Sequence, residues 1–405
     1  MRRALHRFSI IGMAAACTAA LALAPAGARA GTEVTPGFRV GLEERYDDDA
    51  LLAEAGMGQL MTKLTPQVGL AVRGRTFETG GWYAADLLLH NGSGSFAVDH
   101  RGRAMLDVKL SDRAALDGKV DAWRVSDPTS LPRLGVAATL SPVLYGRAEA
   151  GAHYQLSERW TAGLGYAFEG AQIYDGRSAP GFAHAPSVDA WYRATRRTDL
   201  GLEVRFQQFV FGPESSSATS AALMARHRFT RQVHGSIRGG AGMYSAPGSA
   251  PGSTLGAAAA VAQPYPRARL ELSREGERVD LALVLGHDLM GASGFTAALW
   301  ADYGSVVLDW RVLEKLKVYG AASAFRNGRA PDLGYWTLYA PGTSQGYQLA
   351  AGLEWQFNGA LALKLQGDRY AQIGATAPGT VDLARNVLSV RLVVTPFDWA
   401  QGRGW

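Results

Sequence analysis

The chain has 405 residues, with 41 Lys and Arg against 36 Asp and Glu, a formal net charge of +5, and hydrophobic residues at 47%. Four of the arginines, Arg2, Arg3, Arg7 and Arg29, sit in the first 30 residues with no acid among them. The remainder is nearly balanced, which excludes a basic field for nucleic acid. The single cysteine, Cys17, lies in the same segment, so the rest of the chain holds neither disulfide staples nor thiolate metal sites.

The first 30 residues read as a signal peptide. Arg2, Arg3 and Arg7 form the positive start, Ile10 to Ala24 the apolar stretch, and Ala28-Arg29-Ala30 the small-residue cleavage site. Residues 31–405 then form one domain. No stretch of it reaches the roughly 18 unbroken apolar residues of a membrane helix.

What recurs instead is period-two alternation. Trp160, Ala162, Leu164, Tyr166 and Phe168 make one face of a strand, and Thr161, Gly163, Gly165, Ala167 and Glu169 the other. Tyr347, Leu349, Ala351, Leu353, Trp355 and Phe357 repeat the pattern. Such a strand has one apolar and one wet face. Its repetition without helical segments predicts an all-β, up-and-down antiparallel transmembrane β-barrel. The alternative is a soluble β-sandwich, which leaves too many aliphatic faces uncovered.

In chain order, the first strand, near 36–46, points Phe38, Val40 and Leu42 outward and Arg39 and Glu43 into the lumen. Asp47-Asp48-Asp49 opens an acidic loop. The second, near 60–74, turns Leu64, Val68, Leu70 and Val72 out and Lys63 and Arg73 in. After a turn near 76–80 and a strand to His90, the next puts Leu106 and Val108 out and Asp107 and Lys109 in; its partner puts Leu116 and Val120 out and Asp117, Lys119 and Asp121 in. A loop follows at 126–144, a hairpin turn at Leu156-Ser157-Glu158-Arg159, and a loop at about 173–186. Leu200, Leu202, Val204 and Phe206 then face out opposite Glu203 and Arg205. The Ser-Ala-Pro-Gly repeat from Ser245 to Ser253 reads as a mobile outer loop, extended here through Pro266 because Ala257–Ala260 shows no alternation. Arg267, Arg269 and Glu271 face in on the following strand. Strands near 278–286, 303–312, 316–326, 346–357, 360–371 and 385–396 complete the set, placing Glu354, Lys364, Asp368 and Arg391 in the lumen. The count is about 18, within two.

Tyr46, Trp82, Tyr83, Trp160, Trp191, Tyr192, Trp310, Phe357, Phe397 and Trp399 fall near strand ends, as interfacial girdles require. The last strand closes on Phe397 and Trp399, followed by Ala400–Trp405. An aromatic at this place resembles the assembly signal of outer-membrane barrels.

The hairpin Tyr154-Gln155-Leu156-Ser157-Glu158-Arg159, followed by Leu164-Gly165-Tyr166, resembles a phrase of the large outer-membrane barrels of polysaccharide-export pathways in myxobacteria-like Gram-negatives, as does Glu44-Arg45-Tyr46-Asp47-Asp48. The resemblance implies a passage for secreted or capsular polysaccharide, working with periplasmic export and copolymerase proteins. Outer-membrane lipid, lipopolysaccharide and the barrel-assembly machinery are the other expected partners. It carries over no site residue.

No motif for a zinc protease, a serine esterase or a nucleotide-binding loop is present, and no cofactor is expected. His287-Asp288 with Ser293 is the one rim cluster an enzyme would use, although neighbours in a strand face opposite ways. Asp47-Asp48-Asp49 offers carboxylates to a hard cation, against the alternative of a solvated loop. The mixed inward charges line a hydrated channel or pair across strands. Three functions therefore remain beside polymer passage: a small-solute porin, a barrel enzyme, and a plugged structural barrel. A porin is marked by a segment folded into the lumen, for which 126–144 and 327–345 are the candidates.

Overall fold

A computed structural model of the chain describes residues 32–48, 58–127, 131, 141–174, 180–212, 214–246, 261–290, 298–329, 343–376 and 379–395. The expected leader, Asp49, Ser293, most of 126–144 and 327–345, and the closing Phe397 and Trp399 lie outside the described residues. Eighteen strands form one sheet: β1 (Glu33–Asp47), β2 (Gln59–Arg73), β3 (Phe77–His90), β4 (Ser95–Lys109), β5 (Ala114–Val125), β6 (Val143–Gln155), β7 (Trp160–Ile173), β8 (Gly181–Arg193), β9 (Thr198–Phe211), β10 (Glu214–Arg228), β11 (Val233–Ala246), β12 (Val261–Arg274), β13 (Val279–Met290), β14 (Leu299–Leu313), β15 (Leu316–Arg329), β16 (Ser344–Gln356), β17 (Leu361–Thr376) and β18 (Gly379–Val394).

Each strand pairs antiparallel with the next, and β18 returns to β1 from Val40↔Val394 to Asp47↔Val387. Closure removes every sheet edge. At one end, the turn end, connections run to two to four residues. A side-chain oxygen caps many of these turns. Ser111 accepts from the Ala114 N–H at 3.0 Å, Thr230 from Val233 at 3.0 Å, and Asn358 from Leu361 at 2.9 Å, so the turn is written in the residues that make it. Most connections at the opposite, loop end are longer.

The wall is inverted relative to a soluble fold. Leu223 is 72% exposed and Leu164 and Leu388 each 61%, while Arg267, Arg385 and Asp47 are at most 3% exposed. Phe38, Leu42, Leu64, Val68, Leu116, Val120, Leu200 and Leu202 all face outward as the alternation predicts. A continuous apolar exterior of this kind has no counterpart on a water-soluble monomer. Of the expected girdle, Tyr46, Trp160 and Trp310 are exposed, but Trp191 turns inward to line the lumen. Trp82 pairs with Arg103, an inward residue, and belongs to the lumen too.

Several strands run further than alternation alone suggests. β3 begins at Phe77, β8 at Gly181 and β14 at Leu299, and β12 takes in Val261–Pro266, which were expected in a loop. Prolines obscure the last of these and interrupt two other ladders. The pairing of β2 with β3 skips Thr65 and Pro66, and that of β8 with β9 skips Ala185 and Pro186. β12 pairs with β11 throughout, but with β13 only from Ala268 to Arg274, short of Pro264 and Pro266. A proline has no N–H to give the neighbour on that side, so the strand continues while one ladder stops.

Candidate functional site in the lumen

The inward residues meet in cross-strand rows. One row runs Lys317, Glu354, Lys364, Arg391, Glu43, Lys63 through five successive strand pairs from β15 to β2. Lys364 lies 2.5 Å from Glu354, Lys63 2.9 Å and Arg391 4.0 Å from Glu43. Next to it Asp86 accepts from Thr65 at 2.6 Å and meets Arg101 at 2.9 Å, and Arg103 meets Asp121 at 2.5 Å. Unlike charges opposed or diagonal across strands stabilise a sheet face and keep it wet, and they offset the like-charged neighbours Lys364 with Arg391 and Asp86 with Asp99.

The expected lumen residues separate around the barrel. Glu43, Lys63, Lys364, Asp368 and Arg391 line one cavity, and Asp117, Glu203, Arg205, Arg269 and Glu271 another. Lys119 lies 3.6 Å from Asp121. Among the described residues, Arg39 has no carboxylate within ion-pair distance. Arg73 and Lys109 lie at the turn-end rim, 60% and 58% exposed, bonded to Glu78 and Asp112. Asp107 stands opposite Asp117 in the β4–β5 pair, toward the same end.

Asp47 is not a solvated loop residue. It is buried against Arg385, whose Nε donates to its Oδ1 at 2.9 Å. The same guanidinium reaches Asp127 at 2.7 Å. Asp127 follows β5, five ladders away from β18, so the chain at Asp127 reaches across into the lumen. Leu131 is 4% exposed in a cluster with Trp123, Val143, Tyr145 and Ile173. Asp127 lines the smaller cavity, about 320 Å³, and Leu131 the larger, about 1180 Å³.

A second obstruction comes from β13 and β14. Their loop-end tips lean inside β12. Leu289 and Trp300 are cross-strand neighbours on the face that, further along β14, carries the outward Trp310. Yet both are buried, in a cluster with the inward-facing Phe209, Tyr244 and Tyr265. Tyr265 meets Trp300 edge-on at 5.3 Å. The outer face of the tip therefore packs on the inner face of β9–β12. Continued in register, the β12 ladder would set Pro266 opposite Leu289, and proline has no N–H for the Leu289 carbonyl. Gln207 Nε2 donates to that carbonyl at 3.5 Å, and Asp288 Oδ1 accepts the Leu289 N–H at 2.9 Å. Arg267 clamps the arrangement, 2.5 Å from Glu203 and 3.0 Å from Asp288.

His287 and Asp288 point to opposite faces. Asp288 serves Arg267, while His287 Nδ1 meets Asp302 at 2.6 Å and its ring stacks on Trp300. Among the described residues no group of three or more His, Cys, Asp or Glu is placed to hold a metal ion.

The larger cavity has sided electrostatics. Glu149, Glu169 and Asp189 outnumber Arg147 on the β6–β8 part, Arg205, Arg226, Arg238 and Arg269 outnumber Glu203 and Glu271 on the β9–β12 part, and the uncharged Tyr303, Ser305, Ser323 and Gln348 from β14–β16 line another. Arg101, Arg103 and Arg238 were missed in the sequence although strand parity implied them, and Asp288, by sequence a rim residue, faces the lumen. Asp127 and Leu131 carry no periodic signal at all.

No family model matches the chain, and no curated protein is similar to it. Among solved structures it is similar to OccAB4 of Acinetobacter baumannii, at 11% identity and a TM-score of 0.40, over 89% of this chain and 98% of that one. It is similar to OccK2 (OpdF) of Pseudomonas aeruginosa in complex with glucuronate, at 11% identity and 0.41, with the same coverage. OprD of Pseudomonas aeruginosa follows at 9% identity and 0.41, over 89% and 96%.

Proposed function

We propose that this protein is an outer-membrane channel for small polar solutes, performing no reaction. The observation that carries the reading is the lumen. An eighteen-strand wall is wide enough for an aqueous bore, but here Asp127, Leu131 and the β13–β14 tip reduce it to cavities of about 1180 and 320 Å³. The larger is near the size range of small-molecule sites. Opposite charges on adjoining walls align a dipolar solute as it passes.

The outward Leu, Val and aromatic side chains support a lipid environment. An outer-membrane barrel of this kind has membrane lipid, lipopolysaccharide and the assembly machinery as its partners. Passage of polysaccharide is the less favoured reading, because a hydrated polymer needs a continuous bore. The rim-enzyme reading loses its pair, since Asp288 faces away from His287.

The test is swelling of liposomes carrying the purified barrel in sugars of increasing size. Entry of mono- and disaccharides with exclusion of larger oligomers supports the reading. Equal entry of long oligosaccharides overturns it in favour of polymer passage, and no entry at all indicates a plugged barrel.

A further inference from the structure

Arginine is concentrated in one quarter of the turn end. The β8–β9 turn contributes Arg196 and Arg197, the end of β10 Arg226 and Arg228, and the β10–β11 turn Arg231. Arg196, Arg197, Arg226 and Arg228 line a recess of about 330 Å³ with His234 and Ser236. It shares Arg226, Ser236 and Glu271 with the larger lumenal cavity, so it opens at the mouth of the lumen.

The recess has a built floor. The Arg226 guanidinium lies 3.8 Å above the Trp191 ring. Trp191 lies flat because Gly201 is beneath it; a Cβ there would come within 2.7 Å of the indole. The cation is thus held by the ring face and not by an acid. The two carboxylates of the recess are engaged by other bases. Asp199 faces Arg193 at 4.0 Å, and Glu271 meets Arg269 at 2.6 Å and accepts from Ser236 at 3.0 Å. Among the described residues the four recess arginines have no ion-pair partner.

We propose that this recess binds a phosphoryl group. Four guanidiniums around one small volume overcompensate a single carboxylate. A phosphate dianion supplies two charges and several acceptor oxygens to the planar N–H forks. The group comes either from a phosphorylated solute entering the lumen or from the headgroup of a lipid at the turn-end surface. The site does not depend on whether solutes pass.

The full barrel in neutral detergent is titrated with inorganic pyrophosphate at constant ionic strength, following binding by calorimetry and by indole fluorescence. A second arm adds phosphatidic acid in mixed micelles. Saturable binding in the first arm assigns the site to soluble phosphates, and in the second arm alone to lipid. R226A with R228A weakens binding at least tenfold, R196Q with R197Q does so in turn residues outside the wall, and W191F removes the fluorescence change. Folding of each variant is verified by its heat-dependent gel mobility. Saturable binding in neither arm, or affinity unchanged in both double variants, overturns the proposal.

Discussion

Arg385 of β18 and Asp47 of β1 form a buried ion pair across the junction that closes the barrel, 338 positions apart in sequence. Because the same guanidinium holds Asp127, one side chain both joins the wall and ties the inward segment to it. R385A leaves the buried Asp47 and Asp127 with only their longer contacts to Arg45, at 3.4 and 3.6 Å. Breaking one partner of a buried pair costs about 3–5 kcal/mol. The expected outcome is a lower unfolding temperature on gels and a larger single-channel conductance in planar bilayers. Unchanged conductance would show that the segment does not narrow the path.

The outward face gives a direct test of the lipid environment. Leu223 is near the middle of β10 and 72% exposed. In a bilayer L223R costs about 2–4 kcal/mol, read as reduced folding yield into vesicles. In detergent, where the side chain reaches water, the loss is small. Equal behaviour in both media would remove the membrane reading.

The wedge at the β12–β13 junction is testable through its backbone. P266T restores the N–H that the Leu289 carbonyl lacks on that side. Three further ladder positions then become available, and the tip is drawn out of the lumen. Conductance rises, and hydrogen exchange slows in the peptide covering residues 286–290. Faster exchange there would mean that the proline stabilises the tip in another way.

Trp300 anchors the same tip. W300A removes the ring between Tyr265 and His287. Loss of a buried aromatic costs about 3–5 kcal/mol, so the tip loosens and channel recordings become noisier, with more frequent transitions between levels. A quiet trace at wild-type conductance would place the constriction elsewhere.

Gly242 faces the lumen where Tyr265 crosses the β10–β11 wall. A Cβ there would sit 2.5 Å from that ring and 2.5 Å from the Thr219 carbonyl. G242V displaces Tyr265 and costs about 1–3 kcal/mol by overpacking, measured as a drop in the denaturant midpoint.

The wall was legible because period-two alternation is all a barrel strand needs. Leu200 to Phe206 and Leu388 to Val394 announce their faces without help from distant residues. The count of 18 follows from repeating that pattern, and Ser157 and Thr230 mark turns by local bonding. Legibility fails where the chain departs from the pattern. Val261–Pro266 reads as loop in the sequence because Ala257–Ala260 before it shows no alternation, although β11 supports it as strand even where two prolines deny it β13. Trp191 read as a girdle residue from its position near a strand end, while its parity, shared with Asp189, put it inside. The inward path of Asp127 depends on an arginine some 258 positions later, a pairing no local rule encodes.

The order of pairing has a consequence for assembly. Every ladder but one joins strands adjacent in the chain, so seventeen hairpin contacts form at the low entropy cost of short loops. The β1–β18 contact alone must bring together the two extremes of the domain. Asp47 with Arg385, and Asp48 with the Asn386 amide at 2.6 Å, wait at that place as a latch. An unfinished sheet, however many hairpins it holds, stays open to a templating partner until its final strand is made.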